Sequence, residues 1–124
     1  MSEAVFSKNF TGALTDPDGN VRHFIDGAYG REGDLPCVEY ADGKRCWYTE
    51  NPKRGGFGQP PAVPHRAVGP AIVHADGRET YYVMGKLHRL DGPAHVTDDG
   101  IQKWFVEDKF VKAVFPNGRV TLAP

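Results

Sequence analysis

Four Asp-Gly dipeptides, Asp18-Gly19, Asp42-Gly43, Asp76-Gly77 and Asp99-Gly100, anchor a pattern that recurs along the chain. Six residues before each Asp stands Gly12, Pro36, Pro70 or Pro93, followed by a small residue: Ala13, Cys37, Ala71 or Ala94. Five residues after each Asp comes His23, Trp47, Tyr81 or Trp104, and next to it Phe24, Tyr48, Tyr82 or Phe105. Arg31 and Arg89 each follow their Asp by 13 residues, whereas Arg66 follows Asp42 by 24, so the second unit carries 11 extra residues (24 − 13). An Asp-Gly pair between apolar segments is the strongest short hairpin signal, because a type I′ turn needs positive φ at both central residues. No long segment keeps a helical apolar period. The expected fold is all-β: tandem antiparallel hairpins in a meander, forming one twisted or curled sheet.

The size fits one domain over 1–124, with units at about 4–27, 28–50, 65–86 and 87–109, an insertion at 51–64 and a closing hairpin at 110–124. The first unit is worn, as end repeats usually are. With 15 Gly, 10 Pro and 40% hydrophobic residues, a turn-rich β protein fits better than a disordered one. A net charge of −1 lacks the basic excess of a general nucleic-acid binder. No apolar run approaches the ~18 residues of a membrane span. The start Met1-Ser2-Glu3-Ala4-Val5 has neither the basic region nor the apolar core of a secretory signal, so the expected compartment is cytoplasmic.

Cys37 and Cys46 flank the Asp42-Gly43 turn. A two-residue loop would place them diagonally, Cβ atoms roughly 7 Å apart, where a disulfide needs about 4 Å. A three-residue loop would put them on opposite faces. Both cases predict free thiols.

The stretch Leu87-His88-Arg89-Leu90-Asp91-Gly92-Pro93-Ala94, with Asp99-Gly100 and Trp104-Phe105 after it, resembles a repeat of large bacteriophages and giant viruses that is similar to the MORN repeat. Pro70 and Pro93 are 23 residues apart, a period like that of MORN. The likeness is good over 65–108 and weaker over 28–50, where Tyr29-Gly30-Arg31-Glu32-Gly33 stands for His-Arg-x-x-Gly with one residue added; it is faint over 4–27. The resemblance implies a MORN-like hairpin array used for binding, without enzymatic activity. By analogy of origin, it implies a phage-encoded protein that binds and inhibits a host or anti-phage defence factor.

His65-Arg66 and His88-Arg89 recur at one place in the unit. One reading is structural: arginine has five donors to satisfy carbonyls of the Gly-Pro bend or to pair with a turn Asp. The other is a small ligand or nucleotide held by imidazole and guanidinium. The residues show no catalytic constellation, and the histidines His23, His65, His74, His88 and His95 lack zinc spacing, so neither a catalytic residue, a metal nor a cofactor is expected. The first aromatic column, His23, Trp47, Tyr81 and Trp104, continues into apolar positions and reads as core. The second, Phe24, Tyr48, Tyr82 and Phe105, continues into charged ones and reads as an aromatic contact row on a wet face; a curled sheet that buries both columns is the alternative. The Pro- and Gly-rich insertion, with Lys53, Arg54 and Phe57, should project as a loop able to join that contact surface. Stacking rings with Lys53, Arg54, Arg66 and Arg89 would suit single-stranded nucleic acid, but Glu39, Asp42, Glu50 and Glu79 argue against it. An exposed edge strand would favour a homodimer.

Overall fold

The computed structural model describes residues 10–124, and every regular element in it is a β-strand. The signal-free start expected at Met1–Val5 and the opening of the first unit lie outside the described residues. The strands are β1 (Gly12–Thr15), β2 (Val21–Ile25), β3 (Ala28–Tyr29), β4 (Val38–Glu39), β5 (Arg45–Cys46), β6 (Tyr48–Glu50), β7 (Ala62–Pro64), β8 (Ile72–Val73), β9 (Glu79–Thr80), β10 (Tyr82–Val83), β11 (Lys86–Leu87), β12 (His95–Val96), β13 (Gln102–Val106), β14 (Lys109–Val114) and β15 (Val120–Leu122). All ladders are antiparallel. They form four sheets where one was expected: seven strands in the order β1-β2-β4-β5-β8-β9 with β3 on β2, four strands in the order β12-β13-β14-β15, and the pairs β6-β7 and β10-β11.

The division has a local cause. The first-column residue of each unit is where a strand changes partner. His23, Trp47 and Tyr81 each donate their N–H forward, to Cys37 O, Ala71 O and Ala94 O at 2.7 Å. Their carbonyls accept from Gly30 N, His65 N and His88 N at 3.1, 3.0 and 3.1 Å. Beyond them the chain leaves the long ladder and pairs with the short strand that follows next: Phe24 opposite Tyr29, Tyr48 opposite Pro64, Tyr82 opposite Leu87. The same break is a bulge between Trp104 and Phe105 in β13. Tyr81 N to Ala94 O is the backbone bond that carries the first sheet into the second.

The Asp-Gly turns have a different form from the one expected. Only the glycine has positive φ, 91° at Gly19, 99° at Gly43, 92° at Gly77 and 91° at Gly100. The loops hold three residues and are closed by the pairs Asp16–Asn20, Tyr40–Lys44, His74–Arg78 and Thr97–Ile101, and Phe115–Arg119 closes a fifth around Pro116-Asn117-Gly118. A type I turn followed by a left-handed glycine produces this. Two-residue turns with both φ positive do occur, at Asp26-Gly27, Met84-Gly85 and Glu107-Asp108.

Loop length decides which face is covered. Val38 lies opposite Cys46 and Cys46 opposite Ile72. Cys37, Val38 and Cys46 form the buried centre, with Tyr29, Tyr40, Tyr48 and Ile72 packed on it. Both cysteines are free, and burial pushes both thiols up. The second aromatic column shares the Cys46 side. Phe24, Tyr48, Tyr82 and Phe105 are half-buried, and Phe24, Tyr29 and Tyr48 stack at 5.2 and 5.3 Å, with Phe10 edge-on to Phe24 at 5.9 Å. The expected wet row is therefore inner packing, and burial raises the Tyr48 and Tyr82 phenols. Ala71 and Ala94, both fully buried, occupy the small-residue position where strands approach closely.

Candidate functional site

The His-Arg bends come first because they recur. Arg31, Arg66 and Arg89 each donate Nη1 to the carbonyl of the proline that opens the next strand: Pro36 O at 3.2 Å, Pro70 O at 3.1 Å and Pro93 O at 3.1 Å. Arg66 lies over the Trp47 ring at 3.9 Å and Arg89 over Tyr81 at 4.0 Å. Lys112 takes the corresponding place over Trp104 at 4.6 Å. Trp47, Tyr81 and Trp104 of the first column are thus roofed by cations, and Trp47 is buried, as expected of a core position. A Cβ on Gly92 would sit 2.7 Å from the Arg89 guanidinium carbon, so the bend needs glycine for this close approach. The remaining donors reach carboxylates: Arg66 grips Asp34 with both Nε and Nη2 at 3.0 and 2.9 Å, and Arg89 Nε holds Asp91 at 3.0 Å. The Arg66 pair holds the Asp34 carboxyl below its ordinary value.

The histidines do a parallel job. His65 Nδ1 accepts from Met84 N at 2.9 Å and His88 Nδ1 from Glu107 N at 3.1 Å. In the first unit Thr11 Oγ1 accepts from Asp26 N at 2.9 Å. Each caps the first residue of the two-residue turn that closes its own unit. At the matching place in the second unit stands Gly30, where the turn that would need a cap has been replaced by the insertion. His23 instead meets Glu39 at 3.1 Å, beside Arg31.

Arg66, His88 and Arg89 line one groove of about 480 Å³ with Val68 and Leu90 on its walls; His65 lies outside it. The two bends thus converge in part, yet their polar atoms are already engaged: Nη1 of Arg66 and Arg89 on Pro70 O and Pro93 O, their Nε on Asp34 and Asp91, and His88 Nδ1 on Glu107 N. Val68, 80% exposed, and Leu90, 77% exposed, give the groove an apolar rim that sequence reasoning did not single out.

The insertion is built, not slack. Asn51, 5% exposed, donates Nδ2 to Gln59 Oε1 and Pro60 O at 3.1 and 2.8 Å, and its Oδ1 accepts from Lys53 N at 3.0 Å. Its backbone closes the loop neck through Pro61 O at 3.0 Å and accepts from Arg54 N at 2.9 Å. Two further turns, Gly56 N to Lys53 O and Gln59 N to Gly56 O, shape the tip. At that tip Phe57 is 105% exposed, as open as an isolated residue. Arg54 turns back to Glu50 at 3.1 Å and lines a second groove with Phe24 and Tyr29. Sequence reasoning missed Asn51; the Asn-Pro dipeptide after a strand, a turn-initiating pair, was the available signal.

Thr80, 2% exposed, joins two imidazoles across three strands: His74 Nε2 at 2.9 Å and His95 Nδ1 at 3.1 Å from its hydroxyl. Burial lowers both histidines below their ordinary value. Among the described residues no group of three or more His, Cys, Asp or Glu could hold a metal ion, and no helix is long and apolar enough to cross a membrane.

The fold and these sites define an all-β chain whose described residues display one fully exposed aromatic, Phe57. Comparison with known proteins finds no matching family model, no matching curated protein and no matching solved structure.

Proposed function

We propose that this chain is a non-enzymatic protein-interaction module: a MORN-like array of tandem hairpins, phage-encoded and cytoplasmic, that binds and inhibits a host or anti-phage defence protein. The observation that carries the reading is Phe57, fully exposed on a loop braced by buried Asn51. A large aromatic held out in water is unfavourable for a lone chain, and a rigid mount lowers the ordering cost of using it as an anchor. Exposed Val68 and Leu90, beside the Arg66 and Arg89 bends, supply a second apolar contact. Lys53 and Arg54 frame the anchor with charge. Tyr48, Tyr82 and Phe105 serve the array by packing it, and Phe24 both packs and lines an open groove.

The test is affinity capture from host lysate with wild type, Phe57→Ala and Val68→Ser/Leu90→Ser, followed by titration of the captured protein. Loss of capture with Phe57→Ala, at an unchanged melting temperature, supports the reading. Full retention by both variants refutes it. Nucleotide-dependent stabilisation abolished by changes at Arg66 or Arg89 would instead favour a ligand-binding role for the bends.

A further inference from the structure

We propose that Phe57 of one copy seats in the aromatic groove at the loop base of a second copy, reciprocally, making a weak two-fold dimer. This rests on Phe57 being a contact anchor and adds where it docks.

The groove measures about 420 Å³; Phe24 and Tyr29 line it with Ala28, Pro61 and Ala62, and Arg22 and Arg54 complete the lining. It exists because the insertion replaces a tight turn. In the fourth unit the Glu107-Asp108 turn comes down on Leu87-His88, with Asp108 N on Leu87 O at 2.8 Å and Glu107 N on His88 at 3.1 Å. The groove left there is smaller, about 290 Å³, and no Phe, Tyr or Trp ring lines it: its residues are Val83, Met84, Lys86, His88 and Glu107. In the second unit no such turn descends on Gly30, and the stacked rings stay open.

Charge decides what fits. Arg22 is held by Asp16 at 2.9 Å and Arg54 by Glu50 at 3.1 Å, so both cations are matched within their own chain. The groove therefore favours an uncharged planar group over an anion. Among the described residues the one aromatic ring left fully exposed is Phe57. Gly55, Gly56 and Gly58 flank it, so no neighbouring side chain blocks its entry. Anchor and groove share one loop, since Arg54 lines the groove. A two-fold axis beside the loop then sets each ring over the partner's groove. Two rings bury about 150–250 Å² each, well below the ~1,200 Å² of a stable interface, so the dimer is concentration-dependent.

Sedimentation equilibrium of the full chain from roughly 10 µM to 1 mM reads this directly. The expected result is a mass rising toward two copies, held at one copy by Phe57→Ala or by Ala62→Trp, which fills the groove. Mixing those two variants recovers one of the two contacts, the ring of one in the groove of the other, so association returns but stays weaker than in wild type. Should Ala62→Trp fail to fold, single Phe57→Cys and Ala62→Cys variants mixed under oxidation should yield a disulfide-linked pair. A wild type that stays at one copy throughout, or association that survives Phe57→Ala, overturns the proposal. The first outcome leaves Phe57 free to anchor a different protein.

Discussion

Replacing Arg66 by Ala tests whether the recurring arginines hold the bends or await a ligand. Two interactions go at once: the charged donor to Pro70 O at 3.1 Å, and the guanidinium over buried Trp47 at 3.9 Å. A hydrogen bond from a charged group contributes about 1.5–3 kcal/mol, and a partly desolvated cation–π contact about 1–2 kcal/mol. The two share one side chain and are not additive. The expected loss is about 3 kcal/mol, which for a domain of this size lowers the melting temperature by roughly 12 °C. Asp34 is 61% exposed at its side chain, so Asp34→Ala should cost only a small fraction of that, despite the short bidentate pair. Arg66→Lys keeps the charge and loses the fork and the flat stacking face, and should fall about midway.

Urea unfolding of all three variants, with slopes checked for constancy, measures this. Arg66→Ala within ~0.5 kcal/mol of wild type would refute the structural assignment and return Arg66 to the ligand-binding reading. Equal losses for Arg66→Ala and Asp34→Ala would locate the stabilisation in the ion pair instead of the carbonyl.

Other expectations follow from the buried polar groups and the turns. His74 and His95 are lowered below 6.5 by burial, and Arg78, Lys44 and Lys103 push the same way, so the folded state resists the proton that the unfolded chain accepts. Stability should be level above pH 6.5 and fall as pH drops through the window below it; a double His74→Gln/His95→Gln variant should lose that slope in urea titrations at pH 8 and pH 5. Thr80→Val keeps the shape and strips both imidazoles of their shared hydroxyl, and should cost about 1–3 kcal/mol in the same assay. Met84, with φ 50° in a two-residue turn, is strained for a side chain, and Met84→Asn should stabilise by about 0.5–1 kcal/mol in thermal melts. Asn51→Ala should leave the sheets intact and make residues 52–60 the first site of limited proteolysis.

The places of the hairpins were legible because Asp-Gly, the small residue and the paired aromatics recur at fixed offsets. The faces were not. Asp-Gly serves both a two-residue turn and a three-residue turn closed by a glycine bulge, and these differ by one residue of register. The strand also changes partner at Trp47 and Tyr81, which no period along one strand records. Together these turned the supposed wet row of Phe24, Tyr48, Tyr82 and Phe105 inward, and put the supposed core column under Arg66 and Arg89. The arginine roles could be foreseen from donor count and the neighbouring Gly-Pro. The histidine roles could not, because their partners, Met84 N and Glu107 N, each lie 19 residues away at the far end of the unit.

A chain of near-copies separates structure from function by its exceptions. A side chain that recurs with its bond, as Arg31, Arg66 and Arg89 do with Pro36, Pro70 and Pro93, is explained by the unit that repeats it. What repetition leaves unexplained is clustered: Gly30 where a capping histidine belongs, the insertion in place of a tight turn, Asn51 buried to brace it, and Phe57 held in water. The first two open a groove and the last two present a ring. None of the four improves the packing of the array that carries them, and Phe57 works against the solubility of a lone chain. Selection for folding alone would have no use for that combination, and the contact proposed for this chain therefore falls on the second unit.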